Sequence, residues 1–90
     1  CRRAKYRDAI EPLRKGIALA SDNATGHYFM GEALNQTDDL KGALAAYQRA
    51  AELEPDHWRA LKAVGMVLDR LARSTEAAEY YRRSRDAQRA

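Results

Sequence analysis

The chain reads as an all-α protein of about five helices folded into antiparallel hairpins. Three observations say so: side chains recur every 34 residues, apolar residues inside each period follow helical spacing, and helix-capping residues separate the segments. Gly31 returns as Gly65, Leu34 as Leu68, Ala43 as Ala77, Tyr47 as Tyr81 and Arg49 as Arg83. One period upstream, Ala9 precedes Ala43 and Leu19 precedes Leu53. Most of these positions are small or apolar, where packing is demanding, so the repeat is one of architecture.

The helices follow in order at 5–20, 24–36, 39–53, 57–71 and 75–88. In the first, Ile10, Leu13 and Ile17 form an apolar stripe, and Pro12 is expected to kink the helix or mark its effective start, because its ring crowds the carbonyl of Asp8. The second places His27, Met30, Gly31 and Leu34 on one face at i, i+3, i+4 and i+7. Leu40, Ala43, Leu44, Tyr47, Ala50 and Ala51 do the same in the third, and Leu61, Val64, Gly65 and Leu68 in the fourth. The fifth carries Ala77, Tyr80, Tyr81 and Ser84. Asp22 or Asn23, Asp38, Asp56 and Ser74 are the expected N-caps, with Asp39 and Glu76 in positive first turns, and Pro55 ends the third helix. Glycine inside a helix costs about 1 kcal/mol relative to alanine. Its return in phase at 31 and 65 therefore predicts a close approach between helix backbones, aided by Ala43, Ala50 and Ala77.

Composition bounds the function. Ninety residues, 46 % hydrophobic and 32 % charged, make one small soluble domain. No apolar run approaches the roughly 20 residues that span a bilayer, and no signal peptide is legible, which places the expectation in the cytoplasm. Cys1 has no partner in the chain, so neither a disulfide framework nor a cysteine metal site is expected; Arg2 and Arg3 are an odd continuation for a lipidated cysteine. The net charge of +3 conceals a segregation into +4 over residues 1–20, −5 over 21–57 and +4 over 58–90. Opposite fields of this kind favour association of ends with middles, or an acidic partner at either end.

These residues resemble the tetratricopeptide repeat family. Residues 24–57 show His27, Met30-Gly31, Leu34, Ala43, Tyr47, Ala50 and Pro55 in the family's order. Residues 58–90 show Leu61, Val64-Gly65, Leu68, Ala77 and Tyr81, then depart at Ser84 and Arg89, where alanine and proline are usual. Residues 1–23 match the second half of an earlier repeat through Tyr6, Ala9, Leu13 and Gly16. The resemblance implies a right-handed superhelix of hairpins in a single domain, probed by partners along the concave side lined by each repeat's first helix. The polar run 82–90 reads as a terminal helix with one face toward water, whereas the leading half repeat lacks a covering first helix; upstream sequence or another chain is expected there.

Helical phase then nominates a partner-binding groove. Tyr28, Glu32 and Asn35 share a stripe on one first helix, and Arg59, Lys62, Met66, Asp69 and Arg70 on the next. Tyr28 and Met66 suit apolar contact, and Arg59, Lys62 and Arg70 suit carboxylates, of a protein or peptide partner. Phe29 is expected to wedge between helices, and Trp58 to pack between repeats. The lysine, asparagine and arginine clamp with which chaperone adaptors of this family grip a terminal carboxylate is replaced by Tyr28, Glu32 and Ala63, which disfavours such tails.

Chemistry is not signalled. His27 and His57 are thirty residues apart with no metal-ligating companions, and no phosphate loop or hydrolase motif occurs, so no enzyme, cofactor or metal is expected. Asp38 with Asp39, and Glu52 with Glu54, read as helix-start and solvent-facing pairs. Arg82, Arg83, Arg85 and Arg89 offer phosphate contacts, but Glu79 and Asp86 interrupt them, which ranks nucleic acid below a protein partner and below self-association through the uncovered first helix.

Overall fold

The computed structural model describes residues 8, 10–16 and 23–89. Expectations that fall on Cys1, Arg2, Arg3, Tyr6, Ala9, Ile17, Leu19 and Asp22 lie outside the described residues. Residues 10–16 are helical, with Ile10 and Leu13 half-buried. Asp8 and Ile10 are already helical, so the helix does not begin at Pro12. Four further helices follow: α1 (Ala24–Gln36), α2 (Leu40–Leu53), α3 (Trp58–Arg70) and α4 (Ser74–Arg89). Among the described residues there is no strand. None of the described helices is long and apolar enough to cross a membrane.

Consecutive helices pack against each other, α1 on α2, α2 on α3 and α3 on α4, so two hairpins stack through α2 and α3. One core cluster joins Ala43, Leu44 and Tyr47 of α2 to Ala63, Val64, Val67 and Leu68 of α3 and Ala77 of α4. A second holds Ala50 and Ala51 against Ala60 and Leu61, bordered by Tyr28 and Tyr80. The small residues of α2 let α3 lie close, which is why alanine dominates that seam.

Each hairpin turns the same way. Asp38 and Ala72, one period apart, have φ of 67° and 60°. Asp39 N–H donates to Leu34 O at 2.9 Å and Asp38 N–H to Asn35 O at 3.2 Å; Arg73 N–H donates to Leu68 O at 2.8 Å and Ala72 N–H to Asp69 O at 3.0 Å. These are paired Schellman closures, which satisfy the last carbonyls of α1 and α3.

The caps correct three expectations. Asn23 accepts from Gly26 N–H as expected, but Asp39, not Asp38, caps α2 by accepting from Gly42 N–H at 3.0 Å. Asp38 is the left-handed residue of the turn, so its successor meets the next helix. His57, not Asp56, caps α3: its Nδ1 accepts from Ala60 N–H at 3.1 Å. The bond from His57 N–H to Glu54 O folds Asp56 into the turn and makes His57 the last residue before the helix. Ser74 is the first residue of α4 and does not precede it.

The glycines also receive a sharper reason. A Cβ on Gly31 would stand 2.6 Å from Tyr47 Cδ1, and one on Gly65 2.8 Å from Tyr81 Cε1. The close approach is therefore glycine backbone to a tyrosine ring of the same hairpin, rather than backbone to backbone.

Candidate protein-binding groove

The ring that lies on Gly31 also fixes a charge on the groove. Tyr47 is 1 % exposed, yet its hydroxyl donates to Glu32 Oε1 of α1 at 2.7 Å. Burial first, then this bond to a carboxylate, push the Tyr47 phenol far above its ordinary range. One period later the Tyr81 hydroxyl donates to Asp69 Oδ2 at 2.8 Å. The pattern of glycine, overlying tyrosine and a carboxylate on the first helix is thus built twice.

Five of the eight groove residues share one depression. Tyr28, Glu32, Arg59, Lys62 and Met66 line a cavity of 280 Å³, with Trp58 and Ala63. The Tyr28 ring is held 5.6 Å from Tyr47 and 5.2 Å from His57, so it forms a fixed wall. Burial and the nearby Glu32 raise its phenol above the usual range, while Arg59 pulls the other way. Arg59 lies 4.9 Å over the Trp58 ring, and Met66, 48 % exposed, supplies an apolar, deformable floor.

The other three are engaged elsewhere. Arg70 donates to Asn35 Oδ1 at 2.5 Å and to Asp38 Oδ1 at 3.0 Å, tying the end of α3 to the end of α1 across the repeat boundary. Asp69 is held by Tyr81. Arg70 with Asn35 thus links the two first helices, and Asp69 ties α3 to α4 within its hairpin, roles that helical phase alone did not indicate.

Two further placements differ from expectation or exceed it. Phe29 is 51 % exposed and not wedged between helices. Its counterpart one period later, Ala63, packs in the core beside Tyr28, and on the corresponding side of α1 the described residues place no first helix of an earlier hairpin. Ser84, where alanine is usual, is buried and its hydroxyl donates to the Trp58 carbonyl at 2.9 Å, linking α4 to the start of α3. A buried small polar residue in an alanine position was the available signal for that contact.

On the last helix, Arg82 engages Glu79 and Asp86, and its guanidinium holds the Glu79 carboxyl below its usual range. Arg83 lies 4.9 Å over the Tyr80 ring. Two of the four clustered arginines are thereby committed within α4. No group of three or more metal-ligating side chains occurs among the described residues.

Stacked antiparallel hairpins of 34 residues, with a groove formed by their first helices, define a helical-repeat protein. The tetratricopeptide repeat pattern matches residues 2–54 and again residues 38–90, and the chain belongs to that family. No curated protein sequence matches it. Among solved structures, a crystal structure of MamA is 22 % identical with a TM-score of 0.91 over 94 % of this chain and 50 % of its own. A MamA fragment from Desulfovibrio magneticus RS-1 is 25 % identical with a TM-score of 0.91, over 94 % of this chain and 48 % of its own. The chain therefore spans about half the length of the structures it matches. The tetratricopeptide repeat family is generally one of non-catalytic protein-interaction modules, and the solved structures share its fold.

Proposed function

We propose that this chain is a non-catalytic protein-interaction module, a single domain with repeats at 24–57 and 58–90, that holds a peptide or helix of a partner protein in the groove between α1 and α3. The observation that carries this reading is the convergence of Tyr28, Glu32, Arg59, Lys62 and Met66 on one depression. It combines a rigid aromatic wall, an apolar floor and both signs of charge, the chemistry of a site that reads side chains in register. The engagement of Arg82 and Arg83 within their own helix supports a protein over a nucleic acid.

Affinity capture from the source cell extract with the wild-type chain and an Arg59→Ala, Lys62→Ala, Met66→Ala variant tests the groove. Loss of specific partners in the variant, with unchanged circular dichroism, is expected; equal recovery overturns the assignment. Arg70 is left intact, because its ties to Asn35 and Asp38 make it a fold residue. A second reading, self-association, draws on the exposed Phe29 ring. Sedimentation equilibrium over a range of concentrations checks it, and a monomer throughout removes it.

A further inference from the structure

The depression between α1 and α3 lies inside the repeat array, with helices of this chain on both of its sides. One period before Arg59 and Met66 stand Thr25, exposed, and Glu32, half-buried, although α3 already follows them in the stack. A further first helix after α3 would therefore leave Arg59 and Met66 open in the same way. The depression holds 280 Å³, below the roughly 300 to 1,000 Å³ of pockets that enclose whole small molecules. It has room for one or two side chains of a ligand, and not for the flank of a helix.

Its cations are left unmatched. Among the described residues neither Arg59 nor Lys62 pairs with a carboxylate, whereas Arg49, Arg70, Arg73 and Arg82 each do. Arg59 rests one face of its guanidinium on the Trp58 ring, which steadies the side chain and leaves its N–H edge for a ligand. Glu32, which also lines the depression, is held in place by the Tyr47 hydroxyl. The α3 wall is thus positive and the α1 wall carries a fixed negative charge beside the Tyr28 ring. Lys62 and Met66, both exposed, are one helical turn apart, a rise of about 6 Å along α3. That is close to the roughly 6.6 Å between alternate side chains on one side of an extended segment.

We infer that the groove selects an extended acidic segment of a partner protein: one Asp or Glu side chain sits between Arg59 and Lys62, and an apolar side chain two positions away packs on Met66 against Tyr28. The inference rests on the groove reading above and adds the chemistry that the groove selects. Glu32 supplies the other half of the selectivity, because its fixed carboxylate repels a second acid at the apolar position.

The probe is a displayed library of random short peptides selected on the whole chain, with the binders resynthesised, labelled and titrated by fluorescence anisotropy. Asp or Glu two positions from Leu, Met, Phe or Trp is expected among them. Replacing that acid by its amide should cost about tenfold in affinity, roughly 1.4 kcal/mol, and binding should weaken as salt rises. Arg59→Glu combined with Lys62→Glu, both at exposed positions, should leave the circular dichroism unchanged, lose these peptides and, on fresh selection, prefer Lys or Arg in place of the acid. Binders that Met66→Ala or the charge reversal displaces, but that show no preference for an acid, overturn the inference and leave the groove reading intact. An acid preference that survives the charge reversal also sinks it, as does loss of binding when the peptide C-terminus is amidated, which would make a terminal carboxylate the ligand. Binders indifferent to every one of these variants, or none at all, overturn both the inference and the groove.

Discussion

Replacing Gly31 by alanine should destabilise the chain, although the same change in an open helix stabilises it. The helix-propensity gain is about 1 kcal/mol. Against it, the added methyl would stand 2.6 to 2.9 Å from three atoms of the Tyr47 ring, well inside normal contact. Tyr47 cannot swing away: it is 1 % exposed, packed among Leu44, Val64 and Leu68, and bonded through its hydroxyl to Glu32. Overpacking of this kind costs about 1 to 3 kcal/mol, and loosening the bond to the charged Glu32 adds roughly another 1.5 to 3. The net expectation is a loss of about 1.5 to 5 kcal/mol. Urea unfolding followed by far-UV circular dichroism measures it, with Gly16→Ala as the control, since nothing lies within 4 Å of a Cβ there. Gly65→Ala should cost less, because Tyr81 is only half-buried. Coupling of Gly31→Ala with Tyr47→Leu should be favourable, the smaller side chain giving the methyl room. A neutral or stabilising Gly31→Ala would refute the glycine and tyrosine pairing.

Ala72→Gly should raise stability by about 0.5 to 1 kcal/mol, because Ala72 holds φ of 60° and the left-handed strain it relieves exceeds the added chain entropy; thermal unfolding measures this. Asp38→Gly should gain less, since Asp38 also receives Arg70. His57→Ala should cost about 1 kcal/mol by removing the α3 cap, with His57→Asn close to wild type in the same unfolding assay. The phenols of Tyr28, Tyr47 and Tyr81 are all raised above 10.0, chiefly by burial. The folded state thus favours their neutral form, so their contribution is full below about pH 10 and is lost as pH rises through the folded values. Phenolate absorbance should therefore lag that of free tyrosine and then rise together with loss of helix; titration of all five tyrosines near the free value with helix retained would contradict this.

What periodicity could convey was the phase of each helix, and it located Gly31, Tyr47, Gly65, Tyr81 and the buried faces of α2 and α3 correctly. Phase does not convey reach. Arg70 shares a stripe with Lys62, but its long side chain turns to Asn35 and Asp38 on the neighbouring helix, a contact between residues more than thirty apart. Caps fell one residue from expectation because the φ of Asp38 and the turn ahead of His57 decide which side chain faces the helix start. Phe29 was assigned to packing because phase placed it at an interface, and phase is silent on whether the facing helix is present.

The central claim is that a partner lies in the groove between α1 and α3, and site-directed photo-crosslinking tests it most directly. A photoreactive amino acid placed at Met66, in the groove, is compared with one at Ala45, exposed on α2 away from it. The account predicts that partner adducts form from position 66 and not from position 45, and that Arg59→Ala with Lys62→Ala suppresses them. Equal adducts at the two positions, or adducts at position 45 alone, would contradict it.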